Sequence, residues 1–404
     1  MTDDLKFKAD FERLIEPLRK GSVPADKTFS DIFFDRINEL GITQSRAEAI
    51  LSIEKKSLNS ILNNDAKRVD IVTIIKLSQF LNIEVDNIVK LYLHDIPSDK
   101  IGEIDQTKKS SYIVENFDLS QLAKEGIIPS KTDYPAIEKK LLSFFGYNSI
   151  FDYSKGILSP AFSKVKRSAS EQMREFWVKS AFAQFEKINN PHIYKREDLI
   201  DLIPKIRPYT RNLEKGLLTV IKALYHCGVT VIYQPNLTNV SVRGATMVVN
   251  NKPCVVLTDN GKRYPTLWFA LMHELHHVLY DFEELSKRTF HITGDPDLFL
   301  IQEDKADSFA REYLFSIEKS KYIRPFINEP LLVNEYAAKH QVHSSLVYNF
   351  YCWDEYQNGD NYVWSRYTNM FPDINIALNK LNLNPFEKET LDETVEMIKA
   401  EVFS

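Results

Sequence analysis

Nothing narrows the possible folds of this chain as much as two histidines spaced one helical turn apart in an apolar segment. His273-Glu274-Leu275-His276-His277 is an HExxH pattern, and Leu267, Trp268, Ala270, Leu271, Leu275, Val278 and Leu279 recur around it at helical spacing. On a helix, residues four apart lie on one face about 6 Å apart, so His273 and His277 can aim their imidazoles at one ion. Glu274 sits beside that pair and is expected to act as a base without coordinating. His276 falls one step off the ligand face and reads as a surface or substrate-side residue. A hydrolytic zinc needs a third protein ligand and an open fourth position. Glu303, in Glu303-Asp304-Lys305-Ala306-Asp307-Ser308-Phe309-Ala310, is the expected third ligand, on an amphipathic helix marked by Ala306, Phe309, Ala310, Tyr313 and Leu314. Asp307, one turn on, is placed to accept the N–H of a ligating histidine. Taken alone, Glu303 and Asp304 would read as solvated charges opening a helix. The upstream histidines are what favour ligation. Two histidines and a carboxylate suit zinc, with manganese or iron as substitutes under other supply.

The chain of 404 residues has only 12 glycines, and strand-like alternation is confined to one region, so the expected fold class is α+β and mostly helical. Strand signals run from Val229 to Tyr233, from Gly244 to Val249 and from Cys254 to Leu257, the last two flanking the turn Asn250-Asn251-Lys252-Pro253. Gly244 to Val249 is expected to form a sheet edge to which an extended peptide adds. His291 and Tyr280 are candidate donors to a transition state, although a surface histidine and a packed tyrosine are the simpler readings. Along the chain we expect a helical lead-in (1–29), an all-α set of short apolar-periodic segments (30–93) and a polar, turn-rich linker (94–111). A helical region with the metal motifs (112–350) and an aromatic-rich helical extension (351–404) follow. Lys+Arg 51 against Asp+Glu 56 gives a net charge of −5, so there is no global basic field and any nucleic-acid contact must be local. The longest apolar run, Leu267 to Met272, is far short of the ~20 residues that span a bilayer. Cys227, Cys254 and Cys352 are scattered without a CxxC, which argues against a disulfide framework. The start, Met1-Thr-Asp-Asp-Leu, is acidic and has no apolar core, unlike a signal peptide. A cytoplasmic, soluble, reduced protein without membrane contact is expected.

Trp268-Phe269-Ala270-Leu271-Met272-His273-Glu274-Leu275-His276-His277, followed by Glu303-Asp-Lys-Ala-Asp-Ser-Phe-Ala, resembles the ImmA/IrrE-type metallopeptidases over roughly 160–350. The short strands before the helix also sit where that family has its small sheet. The resemblance implies a zincin-like domain with His273, His277 and Glu303 as ligands and Glu274 as catalytic base. The family often carries a histidine four residues after the second ligand, where this chain has Asp281, and a small residue where it has His276.

Upstream, Ile42 to Ile50 reads as a short helix capped by Thr43, Glu54 to Leu62 as a second, and Ile71–Leu81 and Val85–Leu93 as two more. The order resembles the Cro/C1 (XRE-type) helix-turn-helix family over about 30–93, with Leu51-Ser52 where a turn glycine is usual. It implies that Gln44 and the face carrying Lys55, Lys56, Ser57 and Asn59 meet duplex DNA. Between 30 and 93 there are eight Lys+Arg and nine Asp+Glu, a net charge of 8 − 9 = −1, so a scaffold that docks a protein partner stays open as a reading. The combined expectation is a DNA-binding regulator whose zinc peptidase domain cleaves a partner protein, such as a repressor or a toxin–antitoxin partner. The rival is a non-enzymatic antitoxin or transcription factor of such a locus, with a structural metal. A homodimer is compatible with either.

Overall fold

The computed structural model describes residues 27–404 except 64, 67, 95–97, 156–167, 241, 289 and 293–302, and omits the side chains of 90–94, 98–101, 288 and 290–292. Most of the expected lead-in therefore lies outside the described residues. The protein is α+β and mostly helical. It divides into two compact units, Met1–Ser110 and Ser111–Ser404.

Among the described residues up to position 94, the first unit holds five short helices: α1 (Phe29–Leu40), α2 (Gln44–Leu51), α3 (Lys55–Leu62), α4 (Ile71–Leu81) and α5 (Val85–His94). Their ends follow from local chemistry. Thr28 and Asp31 form a capping box on α1, Thr43 caps α2 and Asp70 caps α4. Gly41, Ser52 and Asn82 stop α1, α2 and α4 in the left-handed region, at φ of 60°, 51° and 56°. Phe33, Ala47, Leu51, Leu58, Leu77 and Ile88 share the core that holds the five together.

The stretch expected as a linker (94–111) is instead largely helix: α6 spans Ser98–Asn116. Its polar side chains support it through one-turn pairs, Lys109 with Asp105 at 2.9 Å and Thr107 Oγ1 donating to the Glu103 carbonyl at 2.8 Å. The turn-like composition misleads because no apolar stripe reveals the helix.

In the second unit, α7 (Leu119–Lys124) and α8 (Tyr134–Phe145) precede α9 (Ala169–Ile188), which is buried on nearly every face. Then come α10 (Arg196–Ile206), α11 (Gly216–His226) and a four-stranded sheet of β1 (Thr230–Tyr233), β2 (Gly244–Val249), β3 (Lys252–Leu257) and β4 (Phe290–Ile292), in the order β1-β3-β2-β4. β1 runs parallel to β3, and β2 is antiparallel to both neighbours. Asn250 and Asn251, at φ of 52° and 60°, make the tight β2–β3 turn. β2 is thus not the edge expected from its sequence. β4 pairs with it at Ala245, Thr246 and Met247, a contact between distant segments that local alternation does not reveal.

The long helix α12 (Tyr264–Tyr280) packs on β2 and β3, followed by α13 (Phe282–Arg288) and α14 (Glu303–Phe315), which lies against α12. The remaining helices are α15 (Ile317–Ile323), α16 (Pro330–Lys339), α17 (Ser344–Gln357), α18 (Val363–Arg366), α19 (Ile374–Leu378) and α20 (Leu391–Glu401). Residues 351–404 are largely helical and help to seal the core of this unit. α17 runs through position 351, α20 packs on α9, and Val363, Leu378, Leu391 and Val395 belong to the same core as α9 and α12. Among the described residues no helix is long and apolar enough to cross a membrane.

Candidate metal centre

The apolar face of α12 presses Leu267, Leu271, Leu275 and Val278 into the core, and this carries His273, Glu274 and His277 into the interior at 2%, 0% and 0% exposure. Three donor residues converge there. His273 Nε2 and His277 Nε2 lie 3.2 Å apart, and Glu303, opening α14, places its carboxylate oxygens 3.4 and 3.5 Å from them. Each imidazole is fixed from behind. His273 Nδ1 meets Asp307 at 2.8 Å, and His277 Nδ1 meets Asp281 at 2.8 Å. An Nδ1–H donated to a carboxylate leaves the lone pair on Nε2. Both lone pairs then point at one small space beside a third anionic oxygen, an arrangement that needs a cation within it. Glu303 Oε2 is the oxygen nearer His273 and Oε1 the one nearer His277, so the carboxylate faces both imidazoles at the separations that ligands sharing one ion have. The donor set fits a metal ion.

Glu274 is oriented by β2. Thr246 Oγ1 donates to its Oε2 at 2.6 Å, and at Gly244 a Cβ would collide with its Oε1. Glu274 therefore occupies a slot that the glycine leaves open. Burial opposes charge on His273, but the hydrogen bonds to Asp307 and Glu303 and the nearby Glu274 charge outweigh it and raise its pKa to about 10, so a metal ion binding at Nε2 has to displace a proton from it. Burial and the neighbouring His277 push His276 down to about 4, so it stays neutral.

A cavity of about 740 Å³ reaches this centre and is lined by His273, Glu274, Asp307, Phe269, Phe350 and Trp353, among others. His276 is not at its surface as expected. It is 7% exposed, with its ring 4.8 Å from Tyr280 and 5.5 Å from Phe309, because the helix turns it under α14. Tyr280 is 58% exposed and lies outside the cavity lining, which removes it as a donor. His291 pairs with Thr246 in the β2–β4 ladder, while its side chain lies outside the described residues.

The residues expected at a DNA face lie in the first unit. Lys55, Lys56 and Ser57 are exposed at the start of α3, and Gln44 Nε2 donates to Asn59 Oδ1 at 2.8 Å. Lys55, Lys56 and Asn59 share one side of α3. Ser57 does not, being two residues and hence about 160° from Asn59 around the helix.

Sequence reasoning missed Asp281, Thr246 and Gly244. Asp281 had a signal, since it follows His277 by one turn, but it registered only as a departure from a pattern. Thr246 and Gly244 had none, because their role comes from β2 lying against α12. Compared with known protein families, curated proteins and solved structures, the chain matches none.

Proposed function

We propose that the second unit is a zinc-dependent endopeptidase of the ImmA/IrrE kind and that the first is a Cro/C1-like reader of duplex DNA. In this reading the chain is a cytoplasmic regulator that cleaves a partner protein, such as a repressor or the partner in a toxin–antitoxin locus. The observation that carries it is Glu274, fully buried, bonded to Thr246 and set beside the three-donor cluster of His273, His277 and Glu303. When bound by those three residues, zinc supplies Lewis acidity toward a carbonyl and makes water a readier nucleophile. Glu274 accepts the proton of the attacking water and returns it to the leaving amine. Thr246 keeps that carboxylate in one orientation, and Asp307 and Asp281 keep the imidazoles in one tautomer. The rival reading, a binding protein with a structural metal, has no use for a buried base held beside the ligands. For the first unit, the exposed Lys55 and Lys56 and the Gln44–Asn59 bond support a DNA-facing surface.

Elemental analysis is expected to find about one metal ion per chain, and His273→Ala or Glu303→Ala to lose most of it. Glu274→Gln is expected to keep metal and fold while partner cleavage falls by about 10²–10⁴-fold. A Glu274→Gln protein that cleaves as well as wild type would remove the peptidase mechanism.

A further inference from the structure

The cavity at the candidate metal centre carries charge of both signs, and only part of it is neutralised among the described residues. From α14 come Asp304, Asp307, Arg311 and Glu312. Asp307 is committed to His273, and Arg311 is met by both oxygens of Asp354 at 2.5 and 2.6 Å. Two further arginines line the cavity from other elements: Arg243 just before β2, and Arg263 at the N-terminal cap of α12. Neither has a carboxylate partner among the described residues. Aromatic rings hold them instead. The Arg263 guanidinium carbon lies 4.3 Å from the Trp364 ring centre and 5.6 Å from Phe371, and that of Arg243 lies 5.9 Å from Trp353. Thr258 Oγ1 donates to the carbonyls of Val242 and Arg243, at 2.8 and 3.0 Å, and so fixes the backbone that presents Arg243.

An aromatic face orients a guanidinium without cancelling its charge. Burial pulls the pKa of Arg263 below its ordinary value, with no carboxylate among the described residues to offset it. Such a group gains more from a carboxylate, which matches its fork with two hydrogen bonds, than from any neutral polar group. Asp304 and Glu312 on the same cavity repel anions of higher charge such as phosphate, which favours a single carboxylate.

We propose that Arg263, with Arg243, forms a subsite for a carboxylate on an extended peptide whose scissile bond lies at the metal centre. The proposal rests on the peptidase reading above and gives that site a substrate class. Spacing along α12 sets the register. Arg263 precedes His273 by 273 − 263 = 10 positions, about 15 Å along a helix axis. An extended chain covers that length with roughly four residues. The carboxylate comes either from an aspartate or glutamate side chain about four residues from the cut, or from the end of the peptide chain.

The test is a titration of the intact chain, metal-stripped and zinc-loaded, followed by the fluorescence of Trp353 and Trp364. Three hexapeptides are compared: one blocked at both ends with a single Glu, the same peptide with Gln, and the Gln peptide with a free C-terminal carboxylate. At least one carboxylate peptide is expected to bind roughly tenfold more tightly than the blocked Gln peptide, with the advantage shrinking as salt rises. A preference for the Glu peptide assigns a side chain; a preference for the free end assigns a chain terminus. Arg263→Gln is expected to abolish the preference. Arg243→Gln, a change at an exposed residue, is expected to weaken it and serves if the first variant does not fold. Equal binding of all three peptides by the wild-type chain overturns the proposal, as does a preference unchanged in both variants. Binding by metal-stripped protein needs neither zinc nor hydrolysis, so failure of the peptidase reading leaves this result standing on its own.

Discussion

At Gly244 the backbone of β2 runs so close to Glu274 that a methyl group has no place to go. The neighbour in its way is the carboxylate itself, held on its other oxygen by Thr246. Gly244→Ala must therefore turn this carboxylate out of its position while touching none of the three residues that could hold a metal. Misplacement by about 1 Å at a reacting group costs on the order of 10²-fold in rate. The expected variant keeps its metal, as read by elemental analysis, and loses partner cleavage by that factor. Unchanged cleavage would mean that the carboxylate works from another position. Asp281 would act on a metal held by His277 through the imidazole Nδ1. Removing such a partner typically weakens metal affinity by about 10–100-fold. Chelator competition on Asp281→Ala is expected to show that loss, and an affinity equal to wild type would make the contact incidental.

Elements differ in how openly the sequence announces them. The helix expected after Thr43 forms as α2, and the apolar period from Ile71 to Leu81 coincides with α4. Both have a capping side chain and a periodic face, so local chemistry and core packing agree. The HExxH helix and the Glu303 helix are readable for the same reason, and their amphipathic faces bring the donors together. What the sequence hides is pairing at a distance. β4 covers β2 through three residues, and α6 is a helix stabilised along its own polar surface. His276 looked exposed because helical periodicity assigns it a face but not the neighbour, α14, that covers that face. On α3, Lys56 and Asn59 are three apart and share a side, with Asn59 tied to Gln44. If this side meets a duplex, Lys56→Ala is expected to weaken binding to all sequences alike and to make the salt slope shallower by about one. A slope unchanged from wild type would shift the first unit toward docking a protein.

Within Ser111–Ser404 the order of segments along the chain is a poor guide to what is dispensable. The aromatic density of residues 351–404 suits a segment that seals a core, and Lys187 on α9 pairs with Asp392 at 2.7 Å and Lys140 on α8 with Glu389 at 2.8 Å. More consequential are Val363, Leu378, Leu391, Val395 and Ile398, exposed by 0%, 1%, 0%, 1% and 4%. Each buried side chain of this size contributes roughly 1.5–3 kcal/mol. A domain's whole margin is only about 5–15 kcal/mol. Deleting everything after Gln357 removes these five and uncovers the side of α9 on which α20 packs. The truncated chain is therefore expected to lose cooperative thermal unfolding of the second unit and to become sensitive to protease within α9. Metal retention should fail with it, although His273, His277 and Glu303 are all still present, because α12 is positioned by the same core. A truncated protein that melts cooperatively and binds metal with wild-type stoichiometry would show that the site needs only the segments that supply its ligands.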